Sequence, residues 1–309
     1  MKSWIRRLLI GVLAVRLISS GVWAADTFRV ATFNLANYLD QAEGNRPAKS
    51  PESRAKVRES IKVLKPDVIA FEEMGAERAL RELQGSLKGE GLDLPHAEFV
   101  SGFDTNIHVA VLSRFPIVAR RSHTNDSFLL SGRRFRVSRG IAELDIQVTP
   151  RYQFTLFAAH LKSRRVIAAA DEAELRLQEA KVLREKIDAR LAANPRANIV
   201  VLGDLNDTKD SPSTKAVMGF GRGKLVDTRP AENNGDHTPA ANPNWDPPNI
   251  TWTHYYGKED TYSRIDYILV SQGMAHEWVK AETYVLAMPN WGAASDHRPI
   301  VAAFTAEDN

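Results

Sequence analysis

Ile199, Val200, Val201 and Leu202 form a β-branched apolar run with no polar break, the pattern of a central strand covered on both faces. A chain containing it needs packed layers on either side, which points to a mixed α/β fold. Gly203 is expected to end the run, and Asp204, Asn206 and Asp207 follow at once. Side chains alternate along an extended chain, so Asp204 and Asn206 point the same way just beyond the last buried position. Asp207 fits a turn or cap.

Similar runs alternate with amphipathic helices from Thr27 onward. "FRVATFNLANY", "PDVIAFEEM", "IHVAVLSRF", "GIAELDIQV" and "FTLFAAHL" read as strands, as do "SRIDYILVS", "AETYVLA" and "RPIVAAFT". Helices are expected over "VRESIKVLKPD", with Val57, Ile61 and Leu64 on one face, and over residues 76–87. The clearest spans Ala168 to Leu191, with Ala173, Leu177, Ala180, Leu183, Ile187 and Leu191 as the apolar stripe against a charged face. No internal repeat interrupts the series, and 309 residues at 43% hydrophobic content can bury a large core. Residues 26–309 are expected to form one domain.

The absence of cysteine excludes disulfides, thiolate metal sites and cysteine nucleophiles, so any metal must be held by oxygen or imidazole. Residues 1–25 combine Lys2, Arg6 and Arg7 with an apolar stretch from Leu8 to Val15 and small residues at Ala24 and Ala25. They read as an export signal cleaved near Ala24 or Ala25, although Arg16 interrupts the stretch; an uncleaved amphipathic anchor is the alternative. The run is too short and broken to span a membrane. Without that segment, 37 of the 41 lysines and arginines face 38 acids. Nucleic-acid binding must then come from a local patch.

Polar groups gather where the strands end: Asn34, Glu72 with Glu73, His160, Asp204 with Asn206, Arg264 with Asp266, and Asp296 with His297. Scaffolds place reactive groups at such positions. Taken singly, Asn34 could serve a turn, Glu73 a helix N-terminus and His160 a structural role. Taken in order, "TFNLANY", "PDVIAFEEM", "HLKS", "GDLND", "SRIDYIL" and "SDHRPI" resemble the endonuclease/exonuclease/phosphatase (DNase I-like) superfamily across residues 28–304.

The resemblance implies a four-layer α/β/β/α sandwich of two mixed sheets, and hydrolysis of phosphate esters with Mg²⁺ or Mn²⁺. It assigns Glu73, rather than Glu72, as the main metal carboxylate, with Asn34 and Asp296 on the metal side. His297 is the catalytic histidine, oriented by Asp266, while His160, Asp204 and Asn206 line the phosphate. Glu72 is left to a supporting or structural role, and Asp204 either positions the water or handles the leaving-group proton.

Seven arginines (114, 120, 121, 133, 134, 136 and 139) with the single acid Asp126 among them could track a nucleic-acid backbone or be solvated strand-face charges. Trp245, Trp252, Tyr255, Tyr256 and Trp291 could stack on bases or meet a lipid interface, with Trp252 expected in the core. No long apolar hairpin suited to membrane docking is visible. The expectation is an exported monomeric phosphodiesterase acting on DNA or RNA. The alternatives are a phospholipid or sugar-phosphate hydrolase, sphingomyelinase-like or inositol-phosphatase-like, and a secreted binding or toxin-subunit domain without turnover.

Overall fold

The computed structural model describes residues 27–44, 46–232 and 249–307, and in it the apolar runs sort by parity. One sheet runs, edge to edge, through β12 (Ala231–Glu232), β16 (Trp278–Val285), β17 (Ile300–Thr305), β1 (Thr27–Tyr38), β2 (Val68–Met74), β4 (His108–Ser113) and β3 (His96–Val100). The other runs through β11 (Val226–Asp227), β15 (Asp266–Val270), β10 (Ile199–Asp204), β9 (Tyr152–Ala158), β8 (Ala142–Thr149) and β5 (Ile117–Arg120). Both are mixed. β1 lies parallel to β2 and antiparallel to β17, while β10 lies parallel to β9 and antiparallel to β15.

Phe28, Val30, Val68 and Ala70 of the first sheet meet Phe154, Leu156, Val200, Leu202 and Ile268 of the second in one buried core. The alternate residues face outward. Ala31, Phe33, Ile69 and Phe71 pack under α1 (Pro51–Leu64) and α2 (Glu77–Gly89). Phe157, Val201, Tyr267 and Leu269 pack under α3 (Glu172–Ala193) and α4 (Pro212–Met218). The result is the expected α/β/β/α sandwich. Each large apolar side chain buried between the sheets contributes about 1.5–3 kcal/mol, which makes the spacing of the two sheets stiff.

Three sequence expectations need correction. Gly203 does not end its strand: β10 continues to Asp204, with Gly203 paired to Tyr267. The segment "SRIDYILVS" is divided at Arg264 and Ile265 between β14 (Thr261–Ser263) and β15. In α3 the buried face is rotated from the apolar stripe: Ala173 is exposed, whereas Arg176 and Glu179 are buried because each has polar partners inside. Arg176 pairs with Asp207 at 3.0 Å, and Glu179 accepts from the backbone of Ser138 at 2.8 Å and of Lys162 at 2.6 Å. The arginine-rich segment holds an unanticipated hairpin, β6 (Ser127–Leu130) with β7 (Arg133–Arg136). Residues 1–25 and Trp245 lie outside the described residues.

Candidate active site

Following the inward parity of each strand leads to a polar group. Val30 is succeeded by Thr32 and Asn34, Ala70 by Glu72, Ala158 by His160 and Leu202 by Asp204, while Asp266 precedes Ile268. Parallel pairing brings the ends of β1 and β2 together and those of β9 and β10 together. Antiparallel register sets Asp266 opposite Asp204. A polar cluster therefore closes one end of the core. Its members are almost fully buried, from 0% exposure at Glu72 to 8% at Asn206.

Asp204 is the hub. Its carboxylate accepts from Asn34 Nδ2 at 3.0 Å, from the Asn206 backbone at 2.8 Å and from Asn206 Nδ2 at 3.2 Å. His160 Nε2 stands 3.6 Å away and His297 Nε2 3.9 Å away. Asp266 Oδ2 meets the other ring nitrogen of His297, Nδ1, at 2.9 Å. Ser295 fixes that histidine to β1: its hydroxyl donates to the Asn34 carbonyl at 2.7 Å and accepts from the His297 backbone at 3.0 Å. Six of the eight expected site residues thus meet in one cluster.

The remaining two, Glu73 and Asp296, stand on its flank. Parity sends Glu72 inward, and a left-handed backbone at Glu73, φ 57°, turns the next carboxylate to the Asn37 backbone N–H at 2.9 Å. Lys49, whose ammonium donates to the Ala36 carbonyl at 3.2 Å, lies in the fields of both Asp296 and Glu73. Ala36, Asn37, Glu73 and Asn206 all have positive φ. Such conformations cost about 1–3 kcal/mol each and gather at functional sites.

Burial raises Glu72 well above the usual carboxylate range, helped by the charges of Asp266 and Asp204 and opposed by a hydrogen bond from Thr32 at 2.7 Å. Burial also lifts Asp204, with Asp266 adding to the effect and His297 opposing it, to about 7. Burial disfavours a charged His297, but the carboxylates of Asp266, Asp204 and Asp296 outweigh it and push the imidazole up to about 10. His160 lies well below its usual range through burial and then the charges of Arg139, His297, Arg46 and Lys162. Asp296, open to solvent on one side, is held at about 2: partial burial acts upward, while His254 and His297 act downward more strongly.

His254 is the residue that sequence reasoning missed. It pairs across β13 (His254–Tyr256) with His297, their ring centroids 4.5 Å apart, and its Nε2 stands 3.8 Å from Asp296. Nothing in its own surroundings, "TWTHYY", marks it. Two triads among the described residues bring potential ligand atoms within 4.8 Å of one another: Asp204, Asp266 and His297, and His254, Asp296 and His297.

The arginine cluster divides. Arg114, Arg120 and Arg121 pair with Asp67, Glu98 and Glu143 at 3.1, 2.9 and 2.8 Å. Arg133, Arg134 and Arg136 make no ion pair among the described residues. Trp252 is half-buried rather than core, with the Arg298 guanidinium 3.4 Å from its ring centroid and Trp291 at 5.2 Å. Asp207 joins neither triad and instead holds Arg176. A cavity of about 840 Å³ beside Arg151 and Arg196 lies at the opposite end of the sheets.

The Endonuclease/Exonuclease/phosphatase family matches residues 31–297. No curated protein matches the sequence. Among solved structures, the human Nocturnin catalytic domain with bound sulfate is similar at 17% identity, covering 92% of this chain and 98% of that one, with a TM-score of 0.63. Sphingomyelinase C from Streptomyces griseocarneus shows 17% identity over 91% of this chain and 100% of its own, with a TM-score of 0.61. Truncated Caenorhabditis elegans TDP2 shows 18% over 91% and 98%, at 0.59. These likenesses are of fold.

Proposed function

The chain belongs to the endonuclease/exonuclease/phosphatase family, and from that premise we propose that it is an exported, divalent-cation-dependent phosphodiesterase that cleaves nucleic acid. The observation that carries the reading is the line Asp266–His297–Asp204, at 2.9 and 3.9 Å, with Asn34, Asn206 and His160 converging on Asp204 at its end.

A phosphate diester is already anionic, so its hydrolysis needs charge neutralisation and an aligned nucleophile. The donor set suits Mg²⁺ or Mn²⁺: Asp296 is held ionised, Glu73 lies on the same flank, and hard oxygen ligands match those ions. Glu73 and Asp296 would hold the cation, with Asn34 in support. When bound, it neutralises charge on the phosphoryl and leaving oxygens.

The protein's own groups handle the protons. In the singly protonated His297–Asp204 pair, the form that carries the proton on Asp204 leaves His297 neutral, and its Nε2 takes a proton from the attacking water as the water oxygen bonds to phosphorus. Asp266, at Nδ1, holds the imidazolium that results. Asp204, near 7, is suited to return a proton to the leaving oxygen as its bond to phosphorus breaks. Asn206 and His160 supply hydrogen bonds to the phosphoryl oxygens.

Supercoiled plasmid incubated with the purified protein tests this reading. Nicking is expected with Mg²⁺ or Mn²⁺, abolished by EDTA and reduced about 10²- to 10⁴-fold in His297→Ala, the range general acid–base groups contribute. Hydrolysis of bis(nitrophenyl) phosphate without nicking would retain the chemistry and move the substrate to lipid or small phosphate esters.

A further inference from the structure

Beside the catalytic cluster lies a second cavity of about 630 Å³, lined by Arg46, Arg139, Lys162 and Arg165, with Asp104 its single lining acid and Phe103 at its rim. One backbone carbonyl joins it to the cluster. The Leu161 oxygen accepts from Asn206 Nδ2 at 3.0 Å on one side and from Arg139 Nη1 at 3.3 Å on the other. A group bound in the cavity is therefore a near neighbour of one held by Asn206 and His160.

The walls are built to stay in place. A Cβ on Gly102 would stand 2.5 Å from the Gly140 nitrogen, and one on Gly140 would stand 2.3 Å from the Ser101 carbonyl. Only glycine at both positions lets the Phe103 loop lie against Arg139. Beneath them, Glu179 binds the backbones of Ser138 and Lys162, tying the two walls to α3.

What the walls present is positive charge with unsatisfied hydrogen-bond donors. Arg139 is 8% exposed, yet its Nε has no hydrogen-bond partner, and Asp104 stands 3.8 Å from it. Arg46 Nη1 is likewise buried without a partner. Buried donors of this kind call for an acceptor, and guanidinium groups suit phosphate. At the rim, Phe103 is 63% exposed, with the Arg136 guanidinium 5.6 Å from its ring centroid. An exposed ring beside a phosphate site is the arrangement on which a base stacks.

The geometry points to a nucleotide subsite: Arg46 and Arg139 take the backbone phosphate next to the scissile one, and Phe103 stacks the attached base, with Arg136 continuing the charge along the strand. The subsite deepens the nuclease reading and rests on it. It gives Arg133, Arg134 and Arg136 of the β6–β7 hairpin a reason to make no ion pair among the described residues while Arg114, Arg120 and Arg121 are paired.

The test measures binding of a fluorescent single-stranded oligonucleotide by anisotropy across a salt series, in a His297→Ala background without divalent cation. Arg46→Gln is expected to weaken binding about tenfold and to flatten the salt slope by about 0.7, the single-strand value for one phosphate. Phe103→Ala is expected to weaken it about tenfold with the slope kept, since stacking releases no counterions. Phe103 is exposed and Arg46 half-buried, and circular dichroism checks that the variants fold. Oligonucleotide binding indifferent to both changes would overturn the subsite and leave the nuclease reading standing. No binding by the His297→Ala parent, with bis(nitrophenyl) phosphate still hydrolysed by the unaltered protein, would overturn both.

Discussion

Asp266 sets the proton affinity of His297, so the activity of the enzyme should report on it through pH. If neutral His297 accepts the proton of water while Asp204 keeps its own, kcat/KM rises as the coupled His297–Asp204 pair loses its first proton and falls as it loses its second. Asp266→Asn removes the largest upward influence on the imidazole, so the rising limb moves to lower pH while the plateau falls about 10²-fold or more. A pH profile with bis(nitrophenyl) phosphate checks this, and a limb that stays in place would remove Asp266 from the orienting role. Glu72 makes the opposite kind of demand. Its pKa is raised on folding, so the native state takes up a proton and stability declines as pH climbs above the ordinary glutamate value of 4.5. Glu72→Gln lifts that penalty; its melting temperature should match the unaltered protein in acid and exceed it at neutral pH. A deficit that grows with pH would mean that Glu72 works as a carboxylate. The parity of Val68, Ala70 and Glu72 was present in the sequence. The family pattern instead directed attention to Glu73, whose backbone departs from that parity.

At the level of elements, Asp207 clamps two helices at once. It pairs with buried Arg176 of α3 at 3.0 Å and accepts from Ser213 of α4 at 3.0 Å. Asp207→Asn leaves a buried guanidinium without its counter-charge, a loss of about 3–5 kcal/mol. Urea titration should show it, with kcat of the folded fraction changed little; a stability within about 0.5 kcal/mol of the unaltered protein would contradict the clamp. Asp207 was expected to serve a turn or cap, because its partners sit 31 and 6 residues away along the chain. The rotation of α3 was hidden for the same reason. An apolar stripe identifies a helix face when burial follows hydrophobicity, but Arg176 and Glu179 are buried for the polar groups they meet. The strands were more legible, since each carries its own alternation of buried and exposed residues.

Across the whole molecule the site exists because two sheets end at the same level. Gly203 marks how closely they approach. A Cβ there would stand 2.1 Å from the Ala159 carbonyl and 3.0 Å from Glu72 Oε1 of the facing sheet, and the backbone has φ 126°. Gly203→Ala is expected to cost about 3 kcal/mol or more, because it adds a clash at a conformation L-residues avoid. Thermal unfolding measures this, and a shift of less than about 2 °C would show that the sheets can yield. The sequence by itself determined the alternation of strands and helices and six of the groups that meet where the sheets end, because period-two burial and strand-end polarity are local properties; the four-layer sandwich was implied by the family resemblance. Only the tertiary structure decided that Glu73 leaves the parity of its strand and flanks the cluster, that His254 lies over His297, and that Arg133, Arg134 and Arg136 make no ion pair among the described residues. Those outcomes depend on which distant carboxylate or backbone comes within a few ångströms, and that distance is set by how the sheets pack.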